Sequence, residues 1–197
     1  MKPHRVLALF LMALGLTLLL GCKGGALKLT TEGKESSLEP SSAIIVGTTK
    51  TFSEPDGKGG FKQGKASSHY LYLMNFMPKA DVKNLENKTV PGAQGNVRVS
   101  MSLVGKEGTE AGGLGAAKGA LGVGTYGAKV EKFQKAEGIS ITVVADGKPK
   151  EISFDRDKTE GSVKITSVDA DTVAGEIDLR DGKNAISGSF KTKLQQP

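Results

Sequence analysis

From residue 43 onward, apolar and polar residues alternate along the chain. The clearest segment is residues 96–103, with the sequence NVRVSMSL, in which every second residue is apolar. Residues 139–143 (ISITV) and 186–194 (ISGSFKTKL) repeat the pattern, and none of the three fits the spacing of a helix. A period of two is typical of a strand that packs one face on a core and exposes the other to water. The pattern therefore predicts an all-β domain over residues 43–197, built as a single antiparallel β-sandwich or flattened β-barrel.

Asp-Gly dipeptides predict where these strands turn. The triplet Asp-Gly-Lys occurs at residues 56–58, 146–148 and 181–183. Asp and Gly both tolerate the positive φ of a type I′ turn, so each triplet is a hairpin signal. Gly175 and Gly188, inside the strands of one hairpin, predict a bend, a bulge or a close approach of backbones. With one further turn, the C-terminal part is predicted to be a meander of five strands, at residues 139–145, 151–154, 162–168, 172–179 and 185–194.

Two segments interrupt the alternation. Residues 78–87 predict a short helix, with Pro78 at its first position and Val82 and Leu85 on one face. Residues 105–127 hold nine glycines. They predict a long mobile loop or lid, because glycine loses more freedom on ordering than any other residue. We expect this loop to be a contact surface of the domain.

The N-terminus carries the pattern of an export signal. Lys2 and Arg5 precede a run of apolar or uncharged residues from Val6 to Leu20. A positive start followed by an apolar segment directs secretion. The run has 15 residues, whereas a membrane-spanning helix needs about 20. A cleaved signal peptide over residues 1–21 is therefore favoured over a permanent span.

The apolar run ends in Leu19-Leu20-Gly21-Cys22, which resembles the lipobox of bacterial lipoproteins. The resemblance implies cleavage between Gly21 and Cys22, a diacylglyceryl group on the Cys22 thiol and commonly a fatty acid such as palmitate on its amine. Cys22 is the only cysteine of the chain, and acylation explains a thiol that has no disulfide partner. Two or three acyl chains anchor a protein stably in a membrane.

Residues 22–42 are predicted to be a flexible tether between this anchor and the domain. Gly, Ser, Thr and charged residues dominate them, and such segments bury too little apolar surface to become ordered. Leu27 and Leu29 leave an alternative open, in which part of the tether is recruited as an edge strand. The residue after Cys22 is Lys23, whereas lipoproteins retained in the inner membrane of enteric bacteria have Asp at this position. The resemblance therefore implies a cell-envelope protein, in the outer membrane if the source is Gram-negative.

The charge of the chain does not indicate a nucleic-acid partner. There are 27 Lys and Arg against 21 Asp and Glu, a net charge of +6, and the two signs are interspersed. An exported protein with a weakly cationic, mixed surface has no basic patch on which a polyanion would bind.

The sequence contains no recognisable catalytic, cofactor or metal-binding set. His69 is the only histidine after the signal peptide, and no Gly-x-Ser-x-Gly elbow accompanies it. One histidine and one lipidated cysteine cannot complete a zinc site, so His69 is interpreted as a surface residue with a structural role. The glycine-rich stretch lacks the spacing of a phosphate loop. Two acid pairs, Asp155 with Asp157 and Asp169 with Asp171, favour turn chemistry over calcium.

One predicted strand carries large apolar side chains on both faces. Tyr70, Tyr72, Met74 and Phe76 alternate with two leucines. Such a strand is predicted to be central and covered on both sides. Two interpretations stay open for the four residues: core packing, or an aromatic wall that lines a ligand cavity inside a small barrel.

These observations favour a non-enzymatic envelope protein. The C-terminal hairpins, at residues 161–166, 173–177 and 188–190, look like those of small β-domain lipoproteins that have no agreed activity. We expect a lipid-anchored protein that binds an unidentified envelope protein, or has a structural role, at the cell surface or in the periplasm. The alternative is a carrier of a small apolar ligand or lipid in a β-barrel cavity. A hydrolase is the third and least favoured interpretation, because no catalytic set is assembled in the sequence.

Overall fold

The computed structural model describes residues 25–111 and 121–197. The strands are β1 (Leu27–Thr31), β2 (Lys34–Leu38), β3 (Ser42–Pro55), β4 (Phe61–Met74), β5 (Val97–Glu107), β6 (Gly124–Gly127), β7 (Lys135–Ala145), β8 (Lys148–Ser153), β9 (Glu160–Val168), β10 (Thr172–Arg180) and β11 (Ala185–Leu194), and the helix is α1 (Leu85–Thr89). The all-β class predicted from the alternation is confirmed. Within the described residues, no helix has the length and apolar character needed to cross a membrane.

All these strands belong to one sheet, ordered β10-β9-β6-β7-β5-β4-β3-β11-β1-β2, with β8 added beside β7. The sheet folds over on itself, because β10 also pairs with β11 and so joins distant members of this order. Most neighbours are antiparallel. The parallel contacts, β11 with β3 and β6 with β7, extend over only two residue pairs and one residue pair. The result is a flattened, sandwich-like sheet that does not form a regular barrel.

Alternate side chains of the strands fill the space inside the folded sheet and form the main core. Leu71 and Leu73 of β4, Val99 of β5 and Ile141 of β7 are completely buried there. Each such side chain stabilises the fold by about 1.5–3 kcal/mol relative to an exposed one. A smaller cluster lies on the outer face of β3 and β4, and its members are Ile44, Val46, Met74, Tyr72, Phe76 and Leu85.

Between residues 27 and 38, the segment before β3 forms two strands of the sheet. Leu27 and Leu29 of β1 and Leu38 of β2 are buried in the main core. β1 pairs with β2 on one side and with β11 on the other. The prediction of a flexible tether over residues 22–42 is therefore wrong for these strands, and the alternative raised by the leucines is correct. Three leucines that reach the core outweigh the polar average of the segment.

The helix begins later than predicted. Asn84 is its N-cap, and the side-chain oxygen of Asn84 accepts a hydrogen bond from the backbone nitrogen of Asn87 at 3.1 Å. An Asn cap supplies the partner that the first turn of a helix lacks. The helix predicted over residues 78–87 is thus confirmed as an element, but Pro78 does not start it.

The glycine-rich segment is not a single loop. Its first residues, through Glu107, belong to β5, and its last four, Gly124–Gly127, are β6. Leu121 and Tyr126 are buried in the main core, so the loop predicted over residues 105–127 is wrong at both ends. Residues 112–120 lie outside the described residues, as does the whole predicted signal peptide with Gly21 and Cys22.

The predicted five-strand meander is interrupted between β8 and β9. β6 occupies the edge of β9, with Gly124 opposite Ile165, while β8 lies against β7. The prediction for the two strand glycines is confirmed. The register of β9 and β10 shifts at Gly175, and a Cβ atom at Gly188 would lie 2.7 Å from the carbonyl oxygen of Ala26.

Candidate functional site

A cleft of about 650 Å³ opens on the outer face of the sheet, and its lining also includes main-core residues such as Ile139 and Phe154. It follows β3, β4, β5, β7 and β8, where alternation turns polar side chains outward. Ser68, Tyr70, Ser102 and Ser140 border its floor, and Thr48 and Ser153 border opposite walls. This volume lies in the range of sites that hold small molecules or short segments of polymers.

Serines of neighbouring strands line the floor, namely Ser68, Ser102 and Ser140, and Ser100 contacts Ser140 from outside the lining. Ser68 Oγ lies 2.9 Å from Ser102 Oγ, and Ser100 Oγ lies 2.8 Å from Ser140 Oγ. Each pair uses one of its two hydroxyl protons in the mutual hydrogen bond. A donor and several acceptor lone pairs therefore remain on each pair for another molecule. The floor is a fixed row of groups that can both donate and accept.

An ion pair closes one end of the cleft. Lys50 Nζ of β3 contacts a carboxylate oxygen of Glu137 in β7, and Lys135 Nζ lies 3.8 Å from the other oxygen. β4 and β5 separate β3 from β7 in the sheet, so the contact of Lys50 with Glu137 spans the outer face. It requires the sheet to curl toward this side, which makes the outer face concave.

The distal half of β3 supports this curvature. The rings of Phe52 and Phe133 meet edge to face, with centroids 5.2 Å apart. Glu54 accepts a hydrogen bond from Lys132 Nζ at 2.5 Å, and Lys132 lowers the pKa of the Glu54 carboxyl. The long β3–β4 hairpin is thereby held against the segment that precedes β7.

A buried arginine lies outside the lining of the cleft and contacts one of the lining residues, Glu151. Arg98 is 5% exposed and donates to the hydroxyls of Thr89 at 3.0 Å and Thr142 at 2.9 Å. Its guanidinium also lies 3.5 Å from a carboxylate oxygen of Glu151, which lines the cleft. The same group is 5.8 Å from the centre of the Tyr72 ring. Burial raises the pKa of Tyr72, and the positive charge of Arg98 partly offsets that rise.

The cleft is long enough for an extended ligand. The residues of β7 that line it run from Lys135 to Ser140, which are five residues apart. At roughly 3.4 Å per residue, this separation is about 17 Å. The side between the ends is open, so a ligand longer than the cleft can continue into solvent.

The four residues of the predicted aromatic wall all lie on the outer face, and the structure divides them. Tyr70 borders the cleft and is 47% exposed. Tyr72, Met74 and Phe76 pack in the small outer cluster next to α1. The intervening leucines, not these residues, face the interior of the folded sheet. Core packing, one of the two interpretations, is therefore correct for the three residues in the smaller cluster, and none of the four lines an internal cavity.

The other residues considered from the sequence are not brought together. His69 was expected at the surface but is buried, at 1% exposure. Asp155 accepts a hydrogen bond from Lys158 Nζ at 2.7 Å, which holds the pKa of its carboxyl low, and another from the backbone of Asp157 at 3.1 Å. Asp169 is 3.2 Å from the hydroxyl of Thr172. In the described part of the chain, no three His, Cys, Asp or Glu side chains are grouped as metal ligands.

Sequence reasoning missed the cleft, although one signal was present. Ser100, Ser102, Ser140 and Thr142 were treated as a wet strand face, and their hydroxyls are regularly spaced on two strands. Four hydroxyls at alternate positions are compatible with either a plain surface or a binding floor. The difference lies in the curvature of the sheet, which alternation does not encode.

The chain matches no known protein family, and neither curated proteins nor solved structures gave a match.

Proposed function

We propose that this protein is a lipid-anchored envelope protein that binds a ligand or partner in the outer-face cleft and catalyses no reaction. The observation that carries this proposal is the cleft itself, a groove with serine hydroxyls on its floor and with two lining carboxylates, Glu137 and Glu151, held in ion pairs. A solvated strand face that binds nothing would not need to be concave around its hydroxyl groups. Polar groups converging in a concave site are the usual basis of specific binding.

The anchor in this proposal is supported by the N-terminal sequence. The charged start, the apolar run and Gly21-Cys22 together resemble a lipoprotein signal, and the chain offers no other cysteine for the acyl chains. The proposed address is the cell envelope, in the outer membrane of a Gram-negative source. The position of β1 is compatible with this anchor, because the strand begins five residues after Cys22.

The chemistry of the cleft supports binding rather than catalysis. Ser68 and Ser102 are hydrogen-bonded to each other, and so are Ser100 and Ser140, rather than to a basic group that would activate a nucleophile. The carboxylate of Glu137 is engaged by two lysines. Groups held in this way are suited to hydrogen-bonding an incoming molecule.

The apolar carrier receives less support than the binding protein. Its cavity was expected inside a barrel, and side chains such as Leu71, Leu103 and Phe190 occupy that interior. The exposed face of Tyr70 points to the polar cleft instead.

The anchor is tested by replacing Cys22. We expect the native protein to begin at an acylated Cys22 and to partition into detergent, and Cys22→Ser to be released or left unprocessed. Intact-mass measurement of the purified protein gives the N-terminal residue and its modification. An unmodified N-terminus at another residue would refute the anchor.

Binding in the cleft is tested by native mass spectrometry of protein extracted in detergent from its own membrane. Thr48 is an exposed wall residue, so Thr48→Trp blocks the cleft without disturbing the core. The matched control is Thr166→Trp, at an exposed position of β9 outside the cleft. We expect a bound molecule on the wild type and on the control, but not on Thr48→Trp. A wild-type protein with nothing bound, or equal retention by both variants, contradicts the proposal.

A further inference from the structure

We infer that the ligand of the outer-face cleft is a neutral carbohydrate chain. This inference rests on the proposed function, since it names the class of molecule that the same cleft would bind. It depends on the charge balance of the lining, on the chemistry of the floor and on the position of one aromatic ring.

Four of the five charged side chains of the lining are paired within the protein, and the lining as a whole carries a net charge of +1. Lys50 and Lys135 both contact Glu137, while Glu151 contacts the buried guanidinium of Arg98. The remaining charged side chain of the lining, Arg156, is exposed at the rim. A polyanion would have to compete with carboxylates that already hold these cations. A neutral ligand leaves the ion pairs in place.

The floor has the hydrogen-bonding character that a polyol requires. A serine hydroxyl donates one proton and accepts through two lone pairs, and a sugar hydroxyl does the same. A row of such groups, including Ser102 and Ser140, can match successive hydroxyls of a sugar chain whichever way each proton points. A peptide presents a fixed order of donors and acceptors, and a lipid chain would leave the remaining donor and acceptors of the serine pairs unused.

Tyr70 supplies the apolar surface that a sugar ring needs. Its side chain stands on the outer face of β4 at the cleft and is 47% exposed. An exposed tyrosine ring offers an apolar face for the C–H side of a sugar, with a polar hydroxyl at its tip. The chain has no tryptophan, so Tyr70 takes the stacking position in the cleft.

The shape of the cleft favours a chain over a single sugar. A groove about 17 Å long, estimated from five residues of strand, exceeds the size of one sugar ring. The cleft is open along its length, so the chain can leave it at either end. A different occupant, an extended peptide added to the edge of β8, is disfavoured because Pro149 lacks a backbone donor and Lys148 and Lys150 flank it.

The test uses the full-length acylated protein in detergent micelles, applied to an array. The array carries neutral oligosaccharides of three or more units, acidic oligosaccharides and unmodified peptides. Affinity for the best-captured neutral oligosaccharide is then measured by calorimetry. We expect capture of neutral oligosaccharides, a loss of affinity of about tenfold for Tyr70→Ala, and little loss for Tyr70→Phe, which keeps the ring. The matched control is Phe61→Ala, which removes a 70% exposed aromatic ring at the far end of the β3–β4 hairpin.

The outcomes separate this inference from the proposed function. Capture of neutral oligosaccharides that Tyr70→Ala weakens and Phe61→Ala does not would support the inference. Capture of acidic oligosaccharides alone, lost on Arg156→Ala, would overturn it, and so would capture of peptides alone. If no array member is captured but the native protein carries a molecule that Thr48→Trp excludes, the carbohydrate assignment is wrong and the binding function stands. Unchanged melting temperatures of Tyr70→Ala and Phe61→Ala confirm that a loss of binding is local.

Discussion

Replacing Asp181 by Asn tests how the turn between β10 and β11 is fixed to the rest of the domain. Asp181 is 7% exposed, and its carboxylate accepts four hydrogen bonds. Backbone nitrogens of Asp155, Lys183 and Asn184 donate at 2.9, 2.9 and 2.7 Å, and the Asn184 side-chain amide donates at 3.0 Å. Because Asp155 follows β8 in the chain, this one carboxylate joins two distant segments of the domain.

The size of the effect follows from the pKa of Asp181. Burial raises that pKa, but the donors from Asp155, Asn184 and Lys183 outweigh burial and lower it from 3.8 to about 2. This difference corresponds to about 2.4 kcal/mol of stability at neutral pH. The folded pKa lies below the unfolded one, so the contribution is complete well above pH 3.8 and is lost as the pH falls toward 2. By pH 3 about half of it should remain.

Urea denaturation of wild type and Asp181→Asn at pH 7, 5 and 3 measures this contribution. We expect a loss of about 2 kcal/mol at pH 7, or about 5–8 °C in melting temperature, which shrinks toward pH 3. Asp146→Asn is the matched control, since Asp146 also precedes Gly-Lys but is exposed and has φ 50°, which Asn adopts readily. Its free energy of unfolding should change by less than about 0.5 kcal/mol. Equal losses for the two variants, or a loss for Asp181→Asn that does not depend on pH, would refute the reasoning.

Two further changes test packing elsewhere. Gly161→Ala should destabilise the domain by more than about 3 kcal/mol or prevent folding, because the new Cβ would lie 1.9 Å from the Asp178 carbonyl oxygen at a backbone φ of 97°. Gly147→Ala, also at positive φ but with no atom within 4 Å, should cost only about 1–2 kcal/mol by thermal denaturation, and a similar cost for both would contradict the steric argument. Thr109→Val should cost about 1–2 kcal/mol, because the Thr109 hydroxyl accepts from the backbone nitrogen of Ser67 at 3.0 Å. An unchanged urea midpoint would show that the chain after β5 is not fastened to β4 in this way.

Local rules predicted the strands well and their neighbours poorly. Alternation over residues 96–103 places the right side chains in the core because the period of two depends only on the strand itself. The turn rule works at Asp146 and Gly147, where φ is 50° and 73°, as a type I′ turn requires. At the next triplet only Gly182 has positive φ, because the Asp181 side chain caps that turn. In this second turn, the hydrogen bonds of the Asp181 side chain determine the backbone conformation, and the Asp-Gly sequence alone does not.

The cleft could not be predicted, because it depends on contacts between distant parts of the chain. Lys50 and Glu137 are 87 positions apart, and two strands lie between them in the sheet. Nothing in the pattern around either residue indicates that the sheet curls enough to bring them together. The prediction of a flexible tether was wrong for a related reason. Leu27 and Leu29 can be buried only because β1 pairs with the edge of β11.

Because β1 begins at Leu27 and belongs to the sheet, the domain cannot lie far from a bilayer that holds Cys22. If Cys22 carries the acyl chains, the chain advances by only five residues from the lipidated cysteine to Leu27, the first residue of the sheet. Even when fully extended, five residues reach only about 17 Å, whereas a compact domain of this size is roughly 40 Å across. The domain is then unable to tumble freely and keeps one side toward the lipid headgroups. Such a protein samples only a thin layer next to the membrane, so any envelope polymer it captures must come within about one domain height of the surface.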